Sequence, residues 1–217
     1  MTEPHTPTAS RSKRTIGAIY SKMAKSLYEP LVVHGSFKLF APGMNDVILE
    51  HGRAAAAHAR RRPILDMPVG TGYFTVETAA AHDGILVACD IAEGMVRRAR
   101  TAAANKGLSN LVVLQADAHH LPFADGSFPA VTSSNGLQVI PGTERALAEL
   151  VRVLAPGGKL FIAALSMPVG RGSRDGTVSP GLLVRGRVVA GLLQREGLKI
   201  FSTRQRGLAY LIEATKP

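Results

Sequence analysis

The sequence predicts an α/β domain, and three observations point to it. Short apolar runs that close on a carboxylate recur at residues 64–66, 85–90 and 111–117. Between them lie stretches with helical spacing of apolar residues or with turn residues, the alternation that builds a parallel sheet covered by helices. The first run continues into Met67-Pro68-Val69-Gly70-Thr71-Gly72-Tyr73-Phe74, a strand-to-helix turn through two glycines.

Ile64 and Leu65 read as the end of a buried strand. Gly70 and Gly72 permit backbone angles and a close approach that a Cβ would forbid, and the next turn opens a helix whose first N–H groups have no partner within the helix. Such a turn makes room for a nucleoside at the carboxyl edge of a sheet. The third glycine of the dinucleotide fingerprint would fall at residue 75, which is Thr75. The run Ile85-Leu86-Val87-Ala88-Cys89-Asp90 is too short for a helix, and its closing carboxylate is placed to accept both ribose hydroxyls; a helix N-cap is the alternative reading of Asp90. Cys89 is the lone cysteine and sits inside this apolar run, so an inert buried thiol is expected.

The strand at 111–116 is followed by Asp117 and the pair His119-His120. Neighbouring side chains diverge and no third ligand lies at metal spacing, so both histidines are expected as exposed loop residues and no metal is predicted. Leu147, Leu150, Val151 and Leu154 recur at helical spacing, and this helix is expected to stop at Pro156-Gly157-Gly158. Residues 182–196 read as a helix ending at Gly197. Residues 198–202 and 208–214 read as two strands joined by a basic turn. Upstream, residues 19–31 have amphipathic spacing, and a second helix is expected from about residue 44 to 59, with Val47, Ile48 and His51 on one face.

The turn from Asp66 to Gly72, with Pro68 where a first glycine would stand, resembles the glycine-rich first motif of class I S-adenosylmethionine-dependent methyltransferases. The helix after Asp90 resembles that family's second motif, and Asp117 with the loop through Phe128 resembles its third. The run Glu149-Leu150-x-Arg152-Val153-Leu154-x-Pro156-Gly157-Gly158 resembles the segment before its fifth strand. The resemblance covers about residues 63–166 in unbroken order. It implies a three-layer α/β/α sandwich with a seven-stranded, mostly parallel Rossmann-like sheet, an antiparallel last strand and an N-terminal helical cap. The implied layout is a disordered tail over 1–14, the cap over 15–62 and the cofactor-binding domain over 63–217. It also implies S-adenosyl-L-methionine as cofactor, held by Asp66, Gly70, Thr71, Gly72, Asp90, Ile91, Met95, Asp117, Ala118 and Asn135. Asp90 would take the ribose, Met95 one face of the adenine and Asp117 the adenine exocyclic amine.

The formal charge of +10 is unevenly placed. Residues 1–62 carry ten Lys and Arg against four Asp and Glu, residues 63–170 seven against nine, and residues 171–217 nine against three. The basic excess therefore flanks the cofactor core and could draw an anionic substrate or nucleic acid. With aromatics at only 5% and no Trp, little is available for stacking bases, which disfavours nucleic acid as a partner. No apolar run reaches membrane-spanning length and the N-terminus lacks a signal-peptide core, so a cytoplasmic protein without membrane association is expected. A homodimer would follow the habit of such enzymes; no residue marks one.

The expected activity is methyl transfer to a small molecule, most readily to a hydroxyl of a polar metabolite such as a carbohydrate or natural-product intermediate. His34 is the candidate base, Tyr20 and Tyr28 the orienting groups, and Gln138 stands where many relatives place a histidine. The alternatives are a quinone-type C-methyltransferase, an RNA methyltransferase and a non-catalytic cofactor-binding protein. The first of these is suggested by a weak similarity of the 19–31 helix to the entry helix of ubiquinone and menaquinone C-methyltransferases.

Overall fold

Helix α1 (Met44–Ala59) brings the chain onto the sheet, because Met44, Val47, Ile48, His51, Ala55 and Ala59 recur on one face and are buried together. A computed structural model describes residues 43–166 and 186–217. Beyond α1 the chain runs through β1 (Ile64–Asp66), α2 (Thr75–Ala80), β2 (Leu86–Asp90), α3 (Glu93–Asn105), β3 (Leu111–Gln115) and β4 (Phe128–Ser134). It continues through α4 (Thr143–Val153), β5 (Leu154–Leu165), α5 (Gly186–Arg195), β6 (Lys199–Arg206) and β7 (Ala209–Thr215).

The seven strands form one sheet in the order β3-β2-β1-β4-β5-β7-β6. Strands β1 to β5 pair in parallel, and β7 inserts antiparallel between β5 and β6. Strand order reverses between β1 and β4, so the crevice at their carboxyl ends is where an open α/β sheet accepts a ligand. Each face carries its own apolar layer. Leu147, Leu150 and Leu193 of α4 and α5 pack with Leu160, Ile162 and Ile212. On the opposite face, Ala55, Ala59, Val76 and Ala99 pack with Ile64, Leu86 and Phe161. Helix α1, read from sequence as part of the cap region, packs on β1, β4 and β5 and so belongs to this helical layer.

Two boundaries differ from expectation. Helix α4 ends at Val153, and the chain enters β5 at Leu154, so Pro156-Gly157-Gly158 lies inside the strand rather than at the helix stop. Pairing explains this: Phe128 faces Leu154 and Ala130 faces Lys159, so the proline and glycines form an irregular bulge between two registers with β4. Strand β6 runs on to Arg206, because residues 203–206 continue the ladder with β7 up to the turn at Gly207. Residues 182–185 of the expected last helix lie outside the described residues, as do the tail and the 19–31 helix.

The loop after β3 is anchored by Arg152 of α4. Its guanidinium donates to the carbonyls of Phe123 at 2.9 Å and Leu121 at 3.1 Å, and to the carboxylates of Asp125 at 2.6 Å and Glu149 at 2.8 Å. Glu149 in turn accepts the Leu121 N–H at 2.8 Å. Arg152→Met leaves two loop carbonyls and two carboxylates without this donor, and is expected to cost about 2–3 kcal/mol in urea denaturation. The hydrogen bond from Arg152 holds the Glu149 carboxyl below its ordinary range. Its stabilisation is therefore present above the unfolded-state carboxylate value and is lost as pH falls through the lower folded value. The stability margin of wild type over Glu149→Gln should shrink on acidification from about pH 5 to about pH 3.

Candidate functional site

The crevice is built on the turn between β1 and α2. Val69 N–H donates to the Cys89 carbonyl at 2.7 Å and Gly70 N–H to Asp90 Oδ2 at 2.9 Å, so the turn is laced to the end of β2. Gly70 (φ 54°) and Gly72 (φ 84°) take left-handed angles. A Cβ on Gly72 would lie 2.9 Å from the Ala99 Cα, so glycine there lets α3 approach the turn, whereas a Cβ on Gly70 would meet nothing within 4 Å. The turn thus keeps open main chain on one side and close packing on the other. The helix that follows is only six residues, Thr75–Ala80. The cradle therefore rests on the turn itself more than on the field of a helix N-terminus.

Asp90 Oδ1 also accepts the Ala92 N–H, at 2.9 Å, where α3 begins. The N-cap of α3 is Ala92, with no side-chain cap, so Asp90 is not the cap residue, and it remains a candidate for ribose because each ionised oxygen can accept more than one hydrogen bond. Burial pushes its pKa up, opposed by these N–H groups. Beneath the turn, Asp66 accepts hydrogen bonds from the hydroxyls of Thr75 and Thr132. Burial raises its carboxyl to about 6 despite those bonds. It borders a cavity of about 40 Å³ shared with Ile48, Gly52, Phe74 and Ser134. Cys89 beside it has its thiol pushed up to about 12 by burial, as expected of an inert thiol.

At the carboxyl end of β4, Ser133 Oγ, Asn135 Oδ1 and Gln138 Oε1 are buried with no hydrogen-bond partner among the described residues. Asn135 takes φ 54°, a left-handed angle that asparagine tolerates better than most residues. Orphaned acceptors at a ligand edge are what a donor-bearing ligand satisfies. Among the other expected cofactor residues, Thr71 and Ala118 are buried, Ile91 is half-buried and Met95 is 1% exposed. Tyr20, Tyr28 and His34 lie outside the described residues. His51 is a core residue: burial lowers its pKa, and its ring packs on Phe161 with centroids 5.5 Å apart.

One expectation is corrected. His119 is 5% exposed rather than an open loop residue, because its ring is held between the Asp117 carboxylate and the Pro141 carbonyl. His120 is exposed as expected and contacts Arg145 at 2.8 Å. The sequence reading also missed Gly136. A Cβ there would lie 2.1 Å from Pro68 Cδ, so this glycine is what accommodates the proline standing in the first-motif position. The signal was available, since a proline replacing a glycine in a packed turn requires a small residue opposite.

An open sheet with its crevice at the reversal point, acidic residues at or just beyond β1, β2 and β3, and a two-glycine turn packed on α3 match the layout that the resemblance to class I S-adenosylmethionine-dependent methyltransferases implies. Residues 64–158 match a family model described as a methyltransferase domain. The chain is 42% identical over 106 residues to a demethylmenaquinone methyltransferase of Beutenbergia cavernae, covering 48% of this chain and 41% of that protein. It is 37% identical over 113 residues to the ubiquinone/menaquinone biosynthesis C-methyltransferase UbiE of Yersinia enterocolitica, covering 51% and 45%. The chain thus spans less than half the length of these curated relatives. Among solved structures, the [4+2]-cyclase SpnF superposes with a TM-score of 0.78 at 18% identity over 99% of each chain. A methyltransferase from Aquifex aeolicus superposes with a TM-score of 0.67 at 20% identity, over 93% of this chain and 98% of that one. At these identities the likeness is one of fold.

The contact of Pro68 with Gly136 is testable by a double-mutant cycle. Gly136→Ala should destabilise the protein by about 1–3 kcal/mol through overpacking. In a Pro68→Gly background most of that cost should vanish, leaving a coupling of at least about 1 kcal/mol in chemical denaturation.

Proposed function

We propose that this chain is an S-adenosylmethionine-dependent methyltransferase acting on a hydroxyl-bearing small molecule. The observation that carries the reading is the succession of carboxylates Asp66, Asp90 and Asp117 along one sheet edge, around a turn whose glycines leave its main chain approachable. Asp90 would accept the ribose hydroxyls and Asp117 the adenine exocyclic amine. Asp66, with a carboxyl raised by burial, would be ionised by the cationic amino-acid end of the cofactor. When bound, the cofactor supplies an electrophilic methyl on a sulfonium. The chain's contribution is to hold the acceptor in line with it and to exclude water, from which most of the acceleration can come.

The acceptor is read from the end of β4. Asn135 Oδ1 and Gln138 Oε1 are buried acceptors with no donor among the described residues, which favours ligands that present O–H or N–H groups there. Gln138 can orient such a group but cannot take its proton. The acceptor supported best is a hydroxylated aromatic ring of the quinol kind, methylated at carbon, because the ring's own hydroxyls activate it and the curated relatives carry quinone-biosynthesis names. Methylation of a hydroxyl oxygen on a polar metabolite is the second reading, with His34 as base and Tyr20 or Tyr28 orienting the acceptor.

Transfer of labelled methyl to a panel of quinols and hydroxylated metabolites, with the product's methyl located by NMR, separates the two. Carbon attachment supports the first reading, and oxygen attachment abolished by His34→Ala supports the second. Absence of transfer to any acceptor, together with tight binding of S-adenosylhomocysteine, would sink both in favour of a non-catalytic binder.

The cofactor assignment has its own checks. S-Adenosylhomocysteine should raise the melting temperature of wild type by several degrees and leave Asp90→Ala unmoved. Because the Asp66 carboxyl titrates at about 6 in the ligand-free fold and binding favours its ionised form, cofactor affinity should be full above that value and fall as pH drops below it. Titration calorimetry should show this fall in wild type and a flat profile in Asp66→Asn.

A further inference from the structure

We infer that His119 is a positioning residue of the cofactor pocket: it sets the Asp117 carboxylate for the purine and so gives the site its preference for adenine over a purine without the exocyclic amine. The inference rests on the nucleoside-binding reading above. His119 Nδ1 lies 2.6 Å from Asp117 Oδ1, and Nε2 lies 2.6 Å from the Pro141 carbonyl oxygen. The same Oδ1 accepts the His119 backbone N–H at 3.0 Å. A carbonyl can only accept, so Nε2 carries a hydrogen. A carboxylate likewise accepts, so the contact with Asp117 is made by an N–H of the ring at Nδ1.

The two segments joined by this ring are those that flank the crevice. Asp117 stands just beyond β3, while Pro141 and Gly142 lead from the end of β4 into α4. Gly142 turns the chain through a left-handed φ of 65° into α4, and its Cα side lies in ordinary contact range of the ring. The side chain of His119 is 6% exposed and that of Asp117 is 23% exposed, so the ring is enclosed while the aspartate side chain keeps part of its surface open. The nearby charged groups are engaged elsewhere: His120 turns outward to Arg145, and Glu149 is held by Arg152 and the Leu121 N–H. The ring therefore fixes the plane of the carboxylate that would meet the purine, without touching the purine itself.

The test is equilibrium binding of S-adenosylhomocysteine and of S-inosylhomocysteine, which lacks the amine, to the full chain and its variants. Wild type should prefer the adenosyl compound by at least about tenfold, the size of one well-made hydrogen bond. His119→Ala should bring that ratio close to one. His119→Asn, which places an amide N–H where Nδ1 sits, should restore most of it, whereas His119→Gln, which reaches toward the Pro141 carbonyl, should not. A ratio unchanged in His119→Ala overturns the inference, as does equal loss in the Ala, Asn and Gln variants, which would mark a structural role only. Equal binding of both compounds by wild type removes Asp117 from the purine contact and overturns the inference alone. If wild type binds neither, the cofactor reading falls with it.

Discussion

Asp90 accepts the N–H of Gly70 with one oxygen and that of Ala92 with the other, each at 2.9 Å, and the site depends on that pair of bonds. They tie the turn after β1 to the start of α3 at the sheet edge where the order of strands reverses. The glycine at 72 lets α3 approach the turn from behind, and the glycine at 136 admits Pro68 from the side of β4. A short loop is thereby held from three directions.

The same constraint explains why the cofactor half of the site is better defined than the acceptor half. Its residues sit at strand ends and are fixed by the ladder, so their spacing in sequence translates directly into spacing along the sheet edge. Of the residues expected to meet the acceptor, Tyr20, Tyr28 and His34 lie outside the described residues. Identity to the quinone methyltransferases spans about half of this chain. One structural neighbour of the same fold bears the name of a [4+2]-cyclase, a reminder that the sheet and its crevice do not by themselves choose a reaction.

Local physics made much of the fold legible. The helix at 44–59 follows from its apolar spacing, and its bounds agree with α1 because the sequence pattern and the buried face coincide. The strand ends at Asp66 and Asp90 were equally readable, since an apolar run of such length terminating in a carboxylate has few alternatives beside a two-glycine turn. The Pro156-Gly157-Gly158 segment misled because proline and glycine stop a helix and also make a bulge. Only the pairing of Phe128 with Leu154 and of Ala130 with Lys159 decides between these uses.

The sequence by itself determined the order of elements, the placing of carboxylates along one edge and the kind of cofactor they suit, because these depend on periodicity and turn chemistry within a few residues. The tertiary structure alone decided that His119 is enclosed between Asp117 and Pro141, that Gly136 makes room for Pro68, and that Asn135 and Gln138 end as buried acceptors without donors among the described residues. Each of these is a meeting of side chains with segments or spaces defined only once the sheet has formed. Burial, which turns a loop histidine into a clamp and an amide into an unmet acceptor, is a property of the packed sheet edge and has no local signature in the chain.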